Sequence, residues 1–223
     1  MTPTTDSSDL DAADPAAGGG SQPRRLAVVL ADHGPQAPPG VDPDLFARAC
    51  LADGYEVLAD LAGVRAGIAG GPDDLVEDLL WPGAVRLPGG TAGELARRVA
   101  EEADELVLVA ADAPDLPGLV LAKLFQGLRR CPVVVAPQRP GAVESPGWVA
   151  LGVRLPWPDW LPGDVDPSWP VSRIRAAAPD RRSVRLGPDW RRLRTPESAA
   201  GLDPGLEGWE QTRALLEGRP LLG

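Results

Sequence analysis

The sequence predicts an α/β fold: three layers, with a mostly parallel sheet carrying helices on both faces and an irregular Pro- and Trp-rich C-terminal third. Three observations predict it. A short continuous apolar run at residues 26–31 reads as a strand buried on both faces, and the mostly apolar residues 64–69 and 105–110 read as further strands. Segments with helical start signals separate them, and strand–helix alternation at this spacing implies parallel crossovers. After Pro137 the alternation gives way to a segment rich in Pro and Trp.

The elements follow in order. Residues 1–24 are polar, hold a Gly triplet and carry almost nothing apolar, so they read as a disordered tail, with a single domain over 25–223. The run 26–31 is the first strand. Asp42 and Pro43 supply an N-cap and an N1 proline for a long helix over 44–63, weakened at Gly54. A strand at 64–69, a short helix at 72–80 and a strand at 84–87 come next. Thr91 and Glu94 have capping-box spacing and open a helix to about Ala103. The strongest strand, 105–110, is followed by a helix at 117–129 and a strand at 132–136. Beyond Pro137 the pattern predicts a strand at 148–155, a helix at 171–178, a small strand at 183–186 and a closing amphipathic helix at 206–217.

Composition excludes several function classes. The chain has 223 residues, a net charge of −10 and 43% hydrophobic residues. The acidic balance argues against a nucleic-acid partner. No apolar stretch is long enough for a membrane span, and the acidic start lacks the apolar region of a secretory signal. The expected setting is the cytoplasm. Cys50 and Cys131 lack CxxC spacing and are expected to be reduced, and one histidine, His33, leaves no poly-His metal site.

In open α/β sheets ligands bind beyond the carboxyl ends of the strands, so the loops there hold the candidate residues. Asp112 and Asp115 follow the strand 105–110. Two carboxylates at a strand end can hold a hard cation that bridges nucleotide phosphates. Alternatively, Asp115 caps the next helix and Asp112 steadies the turn. Asp32, His33 and Gly34 follow the first strand. Gly89 and Gly90 follow the third and would let the backbone approach a base or ribose, or else form a plain turn. Trp157, Trp160 and Trp169 could rim a sugar site, but more naturally plug the sheet. Residues 173–194 hold eight Arg against two Asp, either a phosphate-receiving face or a solvated surface.

The segment ELVLVAADAPDLPGLVLAKLFQGLRRCPVVVAPQ, residues 105–138, resembles the middle of the GT-A-like nucleotide-diphospho-sugar transferase superfamily, whose sheet is Rossmann-like. It is most similar to a bacterial glycosyltransferase-like family related to the phospholactate and molybdenum-cofactor nucleotidyltransferases. Residues 93–98 are similar to that family's G-D-L-G-x-R helix start. Residues 148–155 lie where it has a G-G-Y strand, and residues 195–198 resemble its T-P-E-D segment. The resemblance implies a nucleotide or nucleotide-sugar partner and a divalent cation, Mg²⁺ or Mn²⁺. On this reading Asp32, His33, Gly34, Gly89 and Gly90, by their place in the loops, and Arg98, by the resemblance, would face the nucleotide. Asp112 and Asp115 would hold the cation, and Trp148, Arg192 and Arg194 would contact acceptor or phosphate. Three features depart from the family pattern. The first loop has no base except His33, Glu144–Trp148 replaces a D-G-G-Y element, and Arg192–Arg194 stands where a late aspartate pair is expected. These losses leave a second reading open: a non-catalytic scaffold or ligand-binding descendant of the fold.

Overall fold

The computed structural model describes residues 22–140 and 147–219. The strands are β1 (Arg25–Leu30), β2 (Val64–Ala69), β3 (Val85–Leu87), β4 (Glu105–Ala110), β5 (Val133–Pro137), β6 (Trp148–Arg154) and β7 (Val184–Leu186). The helices are α1 (Pro43–Ala59), α2 (Asp73–Leu79), α3 (Ala92–Val99), α4 (Gly118–Leu128), α5 (Val171–Ala177) and α6 (Glu210–Leu216). One sheet runs β3-β2-β1-β4-β6-β5-β7. Every pairing is parallel except those of β6, which is antiparallel to both β4 and β5. No helix of the described residues is long and apolar enough to cross a membrane.

The continuous apolar runs explain the three layers. In β1, Leu26, Val28 and Leu30 pack into the core on one face of the sheet, and Ala27 and Val29 into that on the other. Residues of α1, α2 and α4 fill the second core; α3, α5 and the Pro/Trp segment fill the first. Asp42 caps α1, its carboxylate accepting from the N–H of Asp44 at 2.9 Å and of Leu45 at 3.0 Å. Both halves of the Thr91–Glu94 capping box form. Some bounds move. The chain turns out of α1 before Gly63, whose φ of 71° is left-handed, and α6 begins four residues later than expected.

One organisational expectation is adjusted. Arg24, placed in the tail by composition, is tied down: its backbone N–H and guanidinium donate to Asp104 at 2.7 and 2.8 Å. The rest of the expected tail, residues 1–21, lies outside the described residues. The Trp–Pro segment lies as a cover on α3, the arrangement the plug reading expects. Leu161, Val165 and Trp169 are buried, and the Trp157 indole N–H donates to the Leu161 carbonyl at 2.7 Å. At Gly93 the cover touches backbone to backbone: the Gly93 N–H donates to Gly163 O at 2.8 Å, and a Cβ on Gly93 would lie 2.6 Å from Gly163 Cα. Both cysteines are buried free thiols.

The last helix is anchored by a buried carboxylate. Asp53 of α1 accepts from the N–H of Gln211 at 2.9 Å and of Thr212 at 2.8 Å. Burial outweighs these bonds and pushes its carboxyl up to about 6. An unfolded Asp titrates near ~3.9. The folded state therefore holds a proton between those values that the unfolded state has lost. Asp53's contribution is full below the lower value and is lost as pH rises through the upper one. Denaturation of wild type and Asp53→Asn across pH is expected to show the wild-type stability gaining on the variant by about 2–3 kcal/mol from pH 7 to pH 4. A constant difference would contradict this assignment.

Candidate functional site

β1 leads by way of α1 to β2 on one side, while β4 opens the other half of the sheet, so the topological switch point lies between β1 and β4. The loops after these strands carry Asp32, His33 and Gly34 on one side and Asp112 and Asp115 on the other.

On the β1 side the site is open. The exposed Asp32 carboxylate sits over a glycine cradle and accepts from the Gly71 N–H at 3.0 Å. A Cβ on Gly70 would lie 2.3 Å from Asp32 Oδ2, and one on Gly89 2.5 Å from it. Gly70 and Gly71 have φ of 75° and 76°, a left-handed pair that only glycine adopts readily. Behind them the Arg86 guanidinium donates to the carbonyls of Gly70 and Leu87 at 2.7 and 2.8 Å and to that of Gly71 at 3.2 Å. This turns the carbonyls away and the Gly71 N–H toward Asp32. Sequence reading named Gly89 and Gly90 but missed Gly70, Gly71 and Arg86; the Gly-Gly pair directly after a strand was the available signal. Gly34 and Gly90 are exposed at the rim. His33 is half-buried, and burial together with the nearby Arg192 charge lowers its pKa, so the imidazole is neutral at pH 7.

On the β4 side the site is closed. Asp112 has 1% of its side chain exposed and Arg192 has 2%. The two form a bidentate pair: Arg192 Nε donates to Asp112 Oδ1 at 2.6 Å and Nη2 donates to Oδ2 at 2.8 Å. Arg192 Nη1 donates to the carbonyls of Pro167 at 2.6 Å and Trp148 at 3.1 Å. A cation ligand at the strand end would have to be open to solvent. Asp112 is closed off instead, because the chain from Trp190 to Leu193 crosses the carboxyl edge of the sheet. Trp190 bridges to Gln138 beyond β5. Leu193 then ties the two switch-point loops together, its N–H donating to Asp112 O at 2.7 Å and its carbonyl accepting from the Gln36 N–H at 2.9 Å.

Three further expectations change. Asp115 does not cap α4, whose N-cap is Pro117 without a side-chain bond. Its carboxylate accepts from the Trp190 indole N–H at 2.9 Å, and Arg191 Nε lies 3.4 Å from Oδ2. Burial raises its carboxyl, with Trp190 and Arg191 opposing. Trp148 is wholly buried and offers no aromatic face to a ligand. Arg98 lies in the last turn of α3, seven residues past the Thr91 cap, or about 10 Å along the helix away from the crevice. Arg194 is half-buried and close enough to Asp112 to favour its ionised form.

The residues present do not fit a divalent cation. Each Asp112 oxygen is already held by a guanidinium N–H, Asp115 is held by Trp190 and Arg191, and no group of three His, Cys, Asp or Glu gathers among the described residues. The positive charge at this carboxylate is an arginine of the same chain.

No family model and no curated protein matches the sequence. Solved structures do match in shape. A candidate nucleotide-diphospho-sugar transferase from Desulfovibrio desulfuricans is 21% identical, with 88% of this chain and 95% of that one covered and a TM-score of 0.59. A protein from Mycobacterium tuberculosis is 16% identical, with 81% and 98% covered and a TM-score of 0.55. The 4-diphosphocytidyl-2C-methyl-D-erythritol synthase of Anaerococcus prevotii is 9% identical, with 79% and 93% covered and a TM-score of 0.51. At these identities the likeness is one of architecture, and the chain has the GT-A-like fold of nucleotide-diphospho-sugar transferases and nucleotidyltransferases.

Proposed function

We propose that this chain is a non-catalytic ligand-binding relative of the nucleotide-diphospho-sugar transferases, taking a nucleotide or nucleotide sugar by its nucleoside half and without a divalent cation. The observation that carries this reading is the buried Asp112–Arg192 pair. Transfer from a diphosphate donor needs positive charge aimed at the leaving phosphates. Arg192 spends its N–H groups on Asp112 and two carbonyls. His33 is neutral, and Asp32 adds a negative charge on the open side. The open β1 side suits uncharged polar groups: an exposed carboxylate over a glycine floor accepts well from a ribose diol or a base N–H, and poorly tolerates phosphate.

Thermal shift with UDP, GDP, CDP and their sugars, each with Mn²⁺ and with EDTA, tests the proposal. A ligand at 100 times its dissociation constant stabilises by about 2.7 kcal/mol. The expected stabilisation is the same in Mn²⁺ and EDTA and is lost in Asp32→Ala. Stabilisation that requires Mn²⁺, or Mn²⁺-dependent release of nucleotide from a nucleotide sugar, would restore the transferase reading. No stabilisation by any of these compounds would remove the nucleotide and leave a scaffold.

A further inference from the structure

A concavity of about 360 Å³ lies between α4 and β7, on the α4 face of the sheet and away from the switch-point crevice. Lys123 and Gln126 of α4 and Arg130 of the turn just after it line one wall, and Arg185 and Leu186 of the edge strand β7 line the other. The helix sits low on the sheet because Gly127 has no side chain; a Cβ there would lie 2.8 Å from Val134 Cγ2. The floor is therefore backbone and Val134, below long cationic walls.

The charge arrangement is unusual for this chain. Its net charge is −10, yet three cations face this groove and no carboxylate of the described residues lines it. Lys123 is the chain's single lysine. None of Lys123, Arg130 and Arg185 forms an ion pair with another described residue, whereas the other members of the Arg-rich stretch 181–194 nearest the sheet, Arg191 and Arg192, are engaged by Asp115 and Asp112. Like charges gathered in a concave site repel unless an anion sits among them, and a cleft of one sign concentrates anions of the other. Two guanidinium forks and one ammonium point charge match the oxygens of a phosphate. The volume is that of a small-molecule site.

We propose that the groove walled by Lys123, Arg130 and Arg185 binds a phosphate-bearing small molecule, at a site separate from the switch-point crevice. The three side chains belong to exposed residues, so Gln substitutions are expected to leave the fold intact, which circular dichroism checks. Isothermal titration with inorganic phosphate, pyrophosphate and a sugar phosphate, at ionic strength matched with NaCl, reads the binding and tells a free anion from a phosphate ester. The expected result is saturable binding of at least one of these probes, weakened about tenfold or more in Arg130→Gln and in Arg185→Gln and unchanged in Arg175→Gln on the opposite face. Absence of saturable binding for all three probes would overturn the proposal. Binding that survives the Arg130→Gln, Arg185→Gln double variant would overturn it equally, by placing the anion elsewhere. Binding of poly-glutamate but of none of the phosphates would replace the phosphate ligand with an acidic peptide and refute the proposal as made.

Discussion

Arg192→Ala is expected to destabilise the protein by about 3–5 kcal/mol, enough to unfold a marginal domain. The substitution leaves the Asp112 carboxylate buried without its counter-charge and strips the donor from the carbonyls of Trp148 and Pro167. Asp112→Ala is expected to cost a similar amount, because the guanidinium then lies buried and unpaired. The double replacement Asp112→Leu, Arg192→Met should recover most of the loss, since well-packed apolar groups often match a buried ion pair in stability. Urea denaturation of the four proteins checks this. If Arg192→Ala changed stability by less than about 1 kcal/mol, the pair would not be the lock described here.

Trp148→Ala is expected to cost about 3–5 kcal/mol, the range for deleting a fully buried large aromatic. Trp148 opens β6, packs with Leu161, Val165 and Trp169 beneath the Pro/Trp cover, and has no exposed surface. Its indole N–H has no hydrogen-bond partner among the described residues, so its contribution is that of an apolar body. Trp148→Phe should therefore retain much of the stability. A residue stacking on a sugar would behave otherwise: Trp148→Ala would melt near the wild-type temperature and lose ligand. Melting temperatures of the two variants, without any ligand, separate the cases.

The core strands were legible because a strand buried on both faces must be apolar at consecutive positions, as 26–31 and 106–110 are; 64–69 is broken only by Arg65, which is exposed. The caps at Asp42 and Thr91 were legible because capping is local in sequence. The position of β6 was not. Its apolar run is the same whether it pairs parallel or antiparallel, and only its insertion between β4 and β5 decides. The site was half legible. Resemblance placed Arg192 where a metal-binding aspartate was expected, and Asp112 where the first ligand was expected. That these two residues satisfy each other depends on the chain from Trp190 to Leu193 crossing the sheet edge. That path rests on backbone bonds to Pro137, Asp112 and Gln36, and backbone bonds leave no mark on residue identity. The Asp32 cradle was missed for a related reason: Gly70 and Gly89 come together only when β2 and β3 pair.

Electron paramagnetic resonance of Mn²⁺ titrated with the wild-type protein in the absence of nucleotide tests most directly whether Arg192 has taken the place of a catalytic cation beside Asp112. The signal of free Mn²⁺ is expected to stay unchanged as protein is added. One Mn²⁺ taken up per chain, with the broadened spectrum of a protein-bound ion, would contradict it.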